Sequence, residues 1–276
     1  MLILFHHAFL QAGARVIGIP HDLFERNVTE LDLLLKSANG VLFTGGGLSL
    51  QPTTAFYRTG SYIFKQVQAI NSAGVHLPLH GTCMGFQFLS ILAAGGNASV
   101  LQAGFDSESL SIPLDFTPLA ASSSLFSNAP ARVIHTLTTE NVTANLHHSG
   151  VTPETFSSNP LLAAFFNVLS TNVDRQGRAF VSTIEAANFP IRGTQWHPER
   201  PQFEWNPELN LDHSADAVFA MQYMAAFLVS ESRRNSQSFF SSSAQRLLLQ
   251  RYISYNMTRI PMSEDPLSGY YALLYT

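Results

Sequence analysis

Apolar residues along this chain follow two alternating spacings, which together predict an α/β fold. Short continuous apolar runs are typical of buried strands, and they occur at residues 15–19, 40–43, 74–79, 179–185 and 191–196. Apolar residues three and four positions apart are typical of helices with one buried face, and they occur at residues 2–11, 28–36, 56–72, 84–92 and 215–229. Strands and helices that alternate in this way form a mostly parallel sheet with helices on both faces, so we expect that architecture.

A hairpin and a weakly patterned segment complete the middle of the chain. Residues 162–173 and 179–185 are apolar runs separated by Asp174-Arg175-Gln176-Gly177, which predicts a β-hairpin. Residues 95–160 are rich in serine and interrupted by proline, so we expect loops and short strands there.

The C-terminal part carries two further signals. Residues 230–243 are polar and rich in serine, and we expect them to be exposed. The Tyr-rich residues 269–275 predict a last strand. No internal repeat or linker divides the sequence, so we expect one domain over residues 1–276.

The pattern changes from strand to helix at Cys83, the single cysteine of the chain. Gly81 and Gly85 flank it, and a sharp strand-to-helix turn needs such small neighbours because the residue at the bend is strained. A thiol in this position lies at a helix N-terminus, whose free N–H groups and dipole favour an anion. A lone cysteine is more often a small buried hydrophobic residue. The flanking glycines favour chemistry instead, and they predict that Cys83 is a nucleophile that reacts as the thiolate.

A thiolate nucleophile requires a base and a group that orients the base. His197 and Glu199 follow a predicted strand, and Pro198 restricts His197 to extended conformations. Residues i and i+2 of an extended segment point to the same side, so Glu199 is predicted to reach the imidazole of His197. Taken alone, His-Pro-Glu is more typical of a surface turn, but together with Cys83 it predicts a catalytic triad.

The triple glycine after the predicted strand 40–43 is a second candidate element. Backbone N–H groups around Gly45 and Gly46, together with that of Met84, are predicted to form an oxyanion hole. No Gly-Lys-Ser/Thr follows the glycines, which argues against nucleotide binding. A flexible loop is the alternative.

Composition and charge exclude several other classes of function. The net charge is −4 with no basic run, which argues against nucleic-acid binding. One cysteine permits neither an intrachain disulfide nor a cysteine zinc cluster, and we expect no metal and no cofactor. No apolar run is long enough to span a bilayer, and the apolar N-terminus favours a helix closed by Gly13 over a signal peptide. Asn-x-Ser/Thr sequons occur at Asn27, Asn97, Asn141 and Asn256, and they support secretion only weakly.

Two motifs resemble those of a known superfamily. Gly81-Thr82-Cys83-Met84-Gly85-Phe86, with Gln195-Trp196-His197-Pro198-Glu199, is similar to the class I glutamine amidotransferases. Within that superfamily the chain resembles the γ-glutamyl hydrolases, which trim poly-γ-glutamate tails from folates. The narrower resemblance covers nearly the whole chain and rests on these stretches: residues 12–16, 36–43, 165–172, Pro198-Glu199-Arg200 and Phe203-Glu204-Trp205.

This resemblance implies a fold, an activity and roles for single residues. It implies a flavodoxin-like α/β fold and hydrolysis of pteroyl-poly-γ-glutamate, with Cys83 as nucleophile, His197 as base and proton donor, and Glu199 as the third member. It also implies a role for His147 over the scissile amide, beside Cys83 and His197, where a cationic imidazole would stabilise the thiolate. By residue type alone, the pair His147-His148 indicates an exposed loop or a weak metal site.

The resemblance further implies a lysosomal, vacuolar or secreted enzyme, and it allows a homodimer. Two alternatives remain open at this point. One is a glutaminase domain that delivers ammonia to a partner synthase, and the other is a degraded homologue that only binds its ligand.

Three features depart from the family pattern. The chain is expected to lack the family's first strand and any signal peptide, and the loss of that strand would expose a sheet edge. Gln87 stands where the hydrolases commonly have Glu, and Ser49 stands where the family usually has Asp.

Overall fold

The structure, a computed structural model, describes residues 2–238 and 270–275. The helices in this part of the chain are α1 (Leu2–Gln11), α2 (Leu23–Ser37), α3 (Ala55–Ser72), α4 (Met84–Ala93), α5 (Ala131–Thr139), α6 (Pro153–Ser158), α7 (Pro160–Phe165), α8 (Arg200–Phe203) and α9 (Ala215–Ser232). The strands are β1 (Arg15–Pro20), β2 (Gly40–Phe43), β3 (Leu79–Thr82), β4 (Gln102–Ala103), β5 (Leu110–Ile112), β6 (Asp115–Phe116), β7 (Thr143–Asn145), β8 (Ser149–Gly150), β9 (Phe166–Val173), β10 (Ala179–Ala186), β11 (Ile191–Thr194) and β12 (Tyr270–Tyr275).

An eight-stranded sheet in the order β1-β12-β2-β3-β11-β10-β9-β6 forms the centre of the fold. Strands β2, β3 and β11 are parallel neighbours, and β1 runs in the same direction. Strands β10, β9 and β6 extend the sheet by antiparallel pairing. The predicted α/β architecture with a parallel centre is therefore confirmed.

Helices cover both faces of this sheet, as the alternation of side chains requires. On β2, Val41 and Phe43 face a core built with α2, α3 and α4. The intervening Leu42 points to the opposite face, where α1 and α9 pack. Because successive side chains of a strand alternate between faces, a strand that is apolar throughout must be covered on both sides.

Most predicted elements match the structure, and one strand is displaced. The strand predicted at 74–79 lies instead at Leu79–Thr82. Pro78 has no N–H to donate, and the backbone N–H and C=O of Leu77 both bind the side chain of Asn71. These contacts hold Leu77 against α3, and the strand begins two residues later at Leu79.

Helices α5, α6 and α7 lie where strands or loops were predicted. Helix α5 falls in the weakly patterned segment, and its apolar signal is limited to a few positions such as Val133 and Leu137. Helix α7 occupies the start of the predicted strand 162–173, because the Asn159 side chain accepts hydrogen bonds from the first backbone N–H groups and caps the helix. The hairpin of β9 and β10 itself is confirmed.

Strand β12 lies between β1 and β2 and is antiparallel to both. In a doubly wound sheet of order 2-1-3-4-5 this is the position of the first strand. The edge of β2 that we expected to be exposed is therefore paired. The predicted last strand is confirmed for residues 270–275, while Gly269 and residues 239–243 of the polar segment lie outside the described residues.

Replacing Leu274 with alanine should destabilise the protein strongly. Its side chain is fully buried among residues of α1, α9 and β2. Removing a buried leucine side chain typically costs about 2–5 kcal/mol of unfolding free energy. Leu33→Ala is the matched control, because Leu33 is 63% exposed. Urea unfolding that gives equal midpoints for the two variants would show that β12 does not hold this position.

Candidate active site

Cys83 forms a strained bend between β3 and α4. Its backbone has φ 52° and ψ −108°, a left-handed conformation that non-glycine residues rarely adopt. The backbone N–H of Cys83 donates to the carbonyl of Thr194 at 2.8 Å, which ties the bend to β11. The predicted strand-to-helix elbow is present, and it presents the thiol at the carboxyl end of the sheet.

The two flanking glycines are required by close backbone packing. A Cβ atom on Gly81 would lie 2.6 Å from the carbonyl oxygen of Gly85. A Cβ atom on Gly85 would overlap the backbone of Phe43 on β2. Any side chain at either position would push α4 away from the sheet and move Cys83.

His197 and Glu199 form the pair that the sequence predicted. His197 Nδ1 and Glu199 Oε1 are 2.6 Å apart, and both side chains are 1% exposed. The backbone N–H of Gln195 binds the carbonyl of Ser182 on β10, and that of His197 binds the carbonyl of Ala144 on β7 at 2.9 Å, so β10 and β7 fix the segment from two sides. The Cys83 side chain is the other group whose interaction with the imidazole raises its pKa.

The surroundings of His197 favour its charged form. Burial opposes the charge, but the Glu199 carboxylate and the Cys83 sulfur outweigh burial and raise the pKa of His197 to about 9. Burial would also raise the pKa of Glu199, but His197 and then Arg200 outweigh it and lower that pKa. At neutral pH His197 is therefore an imidazolium placed between the Glu199 carboxylate and the Cys83 sulfur.

His147 reaches the same site through the segment that follows β7. The carbonyl oxygen of Leu146 lies 3.9 Å from Cys83 Sγ. The His147 ring packs edge-to-face on Phe180 at 4.8 Å and near Phe105 at 6.2 Å between centroids. The expected placement of His147 near the nucleophile agrees with the structure.

The expectation that His147 carries a positive charge is wrong. Burial, and then the charged His197, lower the pKa of His147 to about 3, so the imidazole is neutral at physiological pH. The side chain of the neighbouring His148 is 72% exposed and lies 3.6 Å from Glu108. The interpretation of the pair as an exposed loop thus holds for His148 alone.

A cleft of about 520 Å³ opens above Cys83. Its lining includes Gly46, Met84, Gln87 and His147, but none of the described lining residues is Lys or Arg. Gly45, the third predicted oxyanion residue, is buried and does not line the cleft. Across the described residues no group of three or more His, Cys, Asp or Glu side chains is placed to hold a metal ion.

Two residues at the site were not predicted to take part. Arg200 is buried, with its Nε 3.9 Å from Glu199 Oε1 and its Nη1 2.6 Å from Glu204. The i,i+4 spacing of Arg200 and Glu204 was the available signal. Gln87 was recognised only as a departure from the family pattern, yet its side chain bonds to Ser149 and Gln195.

Comparison with known proteins agrees with this geometry. The family described as "Glutamine amidotransferase class-I" matches residues 4–211. The chain belongs to this family. It is 39% identical to the γ-glutamyl hydrolase of Mus musculus over 228 residues, which cover 83% of this chain and 69% of the mouse protein. It is 35% identical to the γ-glutamyl hydrolase of Homo sapiens over 238 residues, with 86% and 72% covered.

A third relative is γ-glutamyl hydrolase B of Dictyostelium discoideum, with 36% identity over 228 residues. The match spans 83% of this chain and 64% of the Dictyostelium protein, so the chain corresponds to about two thirds of its relatives' length. These identities place the chain among the γ-glutamyl hydrolases of the class I glutamine amidotransferase superfamily. Among solved structures, a glutamine amidotransferase from Thermotoga maritima is similar at a TM-score of 0.42 and 13% identity, with 69% of this chain and 77% of that chain covered.

Proposed function

We propose that this chain is a cysteine hydrolase that cleaves γ-glutamyl amide bonds of folate poly-γ-glutamates through an acyl-enzyme. The observation that carries the proposal is the buried Cys83–His197–Glu199 arrangement at a strand-to-helix elbow. Its support is the set of relatives named γ-glutamyl hydrolase. The substrate class follows from this family relationship.

The proposed reaction has two halves that share His197. The Cys83 thiolate attacks the carbonyl carbon of the γ-amide, and the carbonyl electron pair moves to its oxygen. As the C–N bond breaks, the protonated His197 donates its proton to the leaving nitrogen. The neutral His197 then removes a proton from water, whose oxygen attacks the thioester and releases the acid and Cys83.

The developing oxyanion needs hydrogen-bond donors in the cleft. Gly46 and Met84 line the cleft with Cys83, and their backbone N–H groups are the donors we propose for it. Gly45 precedes them in the same loop, and because it is buried we propose that it supports the loop conformation. Gly46 has φ 154°, and a Cβ atom there would lie 3.0 Å from Met84 Cε, so the loop packs tightly on the helix start.

Product analysis separates this proposal from the alternative amidotransferase activity. The purified chain is incubated with pteroyl-poly-γ-glutamate or with glutamine, and glutamate and shortened folates are measured against ammonia. We expect peptide cleavage at a kcat/KM far above any glutaminase activity, both abolished in Cys83→Ala. Ammonia release with intact polyglutamate would instead identify a glutaminase that supplies a partner synthase.

Replacing His147 with asparagine should lower kcat by about tenfold or more, equivalent to about 1.4 kcal/mol of transition-state stabilisation. The neutral ring packs on Phe180 and holds the segment whose Leu146 carbonyl lies next to Cys83. Because no positive charge is lost, the pH dependence of Cys83 alkylation should stay unchanged. His148→Asn is the matched control, since that side chain is exposed, and equal activities of the two variants would contradict the role of His147.

The family relationship supports proposals on the cellular location and the assembly of the protein. We propose a lysosomal, vacuolar or secreted enzyme, and the side chains of Asn27, Asn97 and Asn141 are exposed and accessible to glycosylation, while Asn256 lies outside the described residues. Within the described residues no helix is long and apolar enough to cross a membrane.

We also propose one domain over residues 1–276, which can form a homodimer. Glycosidase treatment and sedimentation of the secreted protein test these points.

A further inference from the structure

Gln87 joins the three segments that carry the catalytic residues. It lies one helical turn after Cys83 on α4, and its side chain is buried. The amide nitrogen Nε2 donates to the carbonyl oxygen of Ser149 at 2.8 Å and to Oε1 of Gln195 at 3.3 Å. Ser149 follows His147 by two residues, and Gln195 precedes His197 by two.

The Ser149 contact connects α4 to the segment that carries His147. Other hydrogen bonds of that segment run to the opposite side, where Phe105 N–H binds the carbonyl of His148 and β8 pairs with β4. These bonds fix the segment relative to residues 102–105. Gln87 therefore sets how closely the segment approaches the nucleophile helix.

The chemistry of both contacts requires a donor at position 87. The carbonyl oxygen of Ser149 and the Oε1 of Gln195 are acceptors, and an amide NH2 supplies two hydrogens for them. An ionised carboxylate has none, and a protonated carboxyl group has only one. A glutamate at position 87 could donate to the carbonyl oxygen of Ser149 only when it is protonated.

The residues that line the cleft do not favour an ionised carboxylate at position 87. The titratable side chains that line the cleft with Gln87 are Cys83, His147 and His148, and none of the other described lining residues is charged. His197 and Glu199 lie in the segment after β11 that also carries Gln195. A carboxylate at position 87 would thus be buried with no cation in the lining to stabilise it, which favours its protonated form.

We propose that Gln87 is a positioning residue that holds the Cys83 helix, the His147 segment and the His197 segment together, and that its amide makes this connection independent of pH. The proposal rests on the proposed function, because it concerns the geometry of the same site. It requires that the bond-donating capacity of residue 87, and not only its volume, determine the catalytic rate.

Two substitutions test this requirement. Gln87→Met keeps the length and removes both donors, and it should lower kcat by about tenfold to a hundredfold at every pH, since a misplacement of about 1 Å can have that effect. Gln87→Glu should show a similar loss at pH 8, and its rate relative to the wild type should recover as pH falls and the carboxyl group becomes protonated. Gln68→Glu is the matched control, because Gln68 Nε2 likewise donates to a backbone carbonyl, at 3.2 Å on α3, away from the cleft.

Alkylation of Cys83 provides a readout that needs no substrate. With one cysteine in the chain, iodoacetamide reports on this thiol alone, and Gln87→Met should slow alkylation at neutral pH because His197 shifts relative to Cys83. If the wild type fails to cleave polyglutamate while Gln87→Met alters alkylation, the proposed function fails and the role of Gln87 stands. Wild-type rates and alkylation in Gln87→Met, or a pH-independent ratio in Gln87→Glu, would overturn the role of Gln87.

Discussion

Cys83→Ala is expected to abolish hydrolysis while the protein still binds polyglutamate. Alanine keeps the Cβ atom at the strained bend, so the backbone with φ 52° and the packing of Gly81 and Gly85 are retained. Only the sulfur that forms the covalent intermediate is removed. We expect less than about a hundredth of the wild-type rate to remain, as is typical when a nucleophile is lost.

Binding and folding are measured separately in this variant. Calorimetric titration with pteroyl-poly-γ-glutamate should give a Kd close to the wild-type KM, and thermal unfolding should show an intact fold. Ser90→Ala on the same helix is a control for small substitutions in α4, because its hydroxyl donates to the carbonyl of Phe86 in the preceding turn. A Cys83→Ala enzyme with more than about a hundredth of the activity would mean that another group attacks the amide.

His197→Asn should be nearly as severe as Cys83→Ala, and Glu199→Gln should be milder by about one to two orders of magnitude in kcat. Members of a catalytic unit are strongly non-additive, and the group that orients the base usually contributes least. His197 takes part in both proton transfers, whereas Glu199 acts only through the 2.6 Å contact with His197 Nδ1. Equal and small losses from both substitutions would identify His-Pro-Glu as a structural turn.

The Glu199→Gln variant should also change the pH profile. In the wild type, kcat/KM should fall as pH rises through about 9, where His197 loses the proton that the leaving nitrogen requires. Glu199 is the main group that raises the pKa of His197, so the fall should begin at a lower pH in Glu199→Gln. If kcat/KM falls at the same alkaline pH in Glu199→Gln as in the wild type, the fall cannot be assigned to loss of the proton from His197.

The His197–Glu199 charge pair also affects the stability of the folded protein. Since the folded-state pKa is above the usual value of 6.5, its contribution is complete below pH 6.5 and is lost as pH rises through about 9.

The sequence predicted the elbow and the His–Glu pair because both depend on neighbouring residues. The glycines around Cys83 act on the backbone within two positions, and Glu199 lies only two positions after His197. The contact was predicted from an extended segment, but in the structure Glu199 reaches His197 from the turn that leads into α8. The parallel centre of the sheet was predictable in outline, since β2 is a continuous apolar run and a helix connects it to the apolar run at 74–79 that leads into β3.

Other features were decided by contacts between distant residues. Strand β12 pairs with β1 and β2 although about 230 positions separate it from Gly40, and no local pattern selects that place. The strand predicted at 74–79 begins at Leu79 because the side chain of Asn71 binds the residues before it.

The protonation states at the site show most clearly which properties the sequence determines and which depend on the folded structure. Residue types in the sequence identified Cys83, His197 and Glu199, and the resemblance to a known family added His147. The list of groups was therefore available before the structure. Their charges were not, because the neutral state of His147 and the charged state of His197 depend on burial and on which charge lies beside each ring. Burial and charge–charge distance are properties of the folded chain, whereas spacing along the chain determines only which groups can be neighbours on one strand or helix.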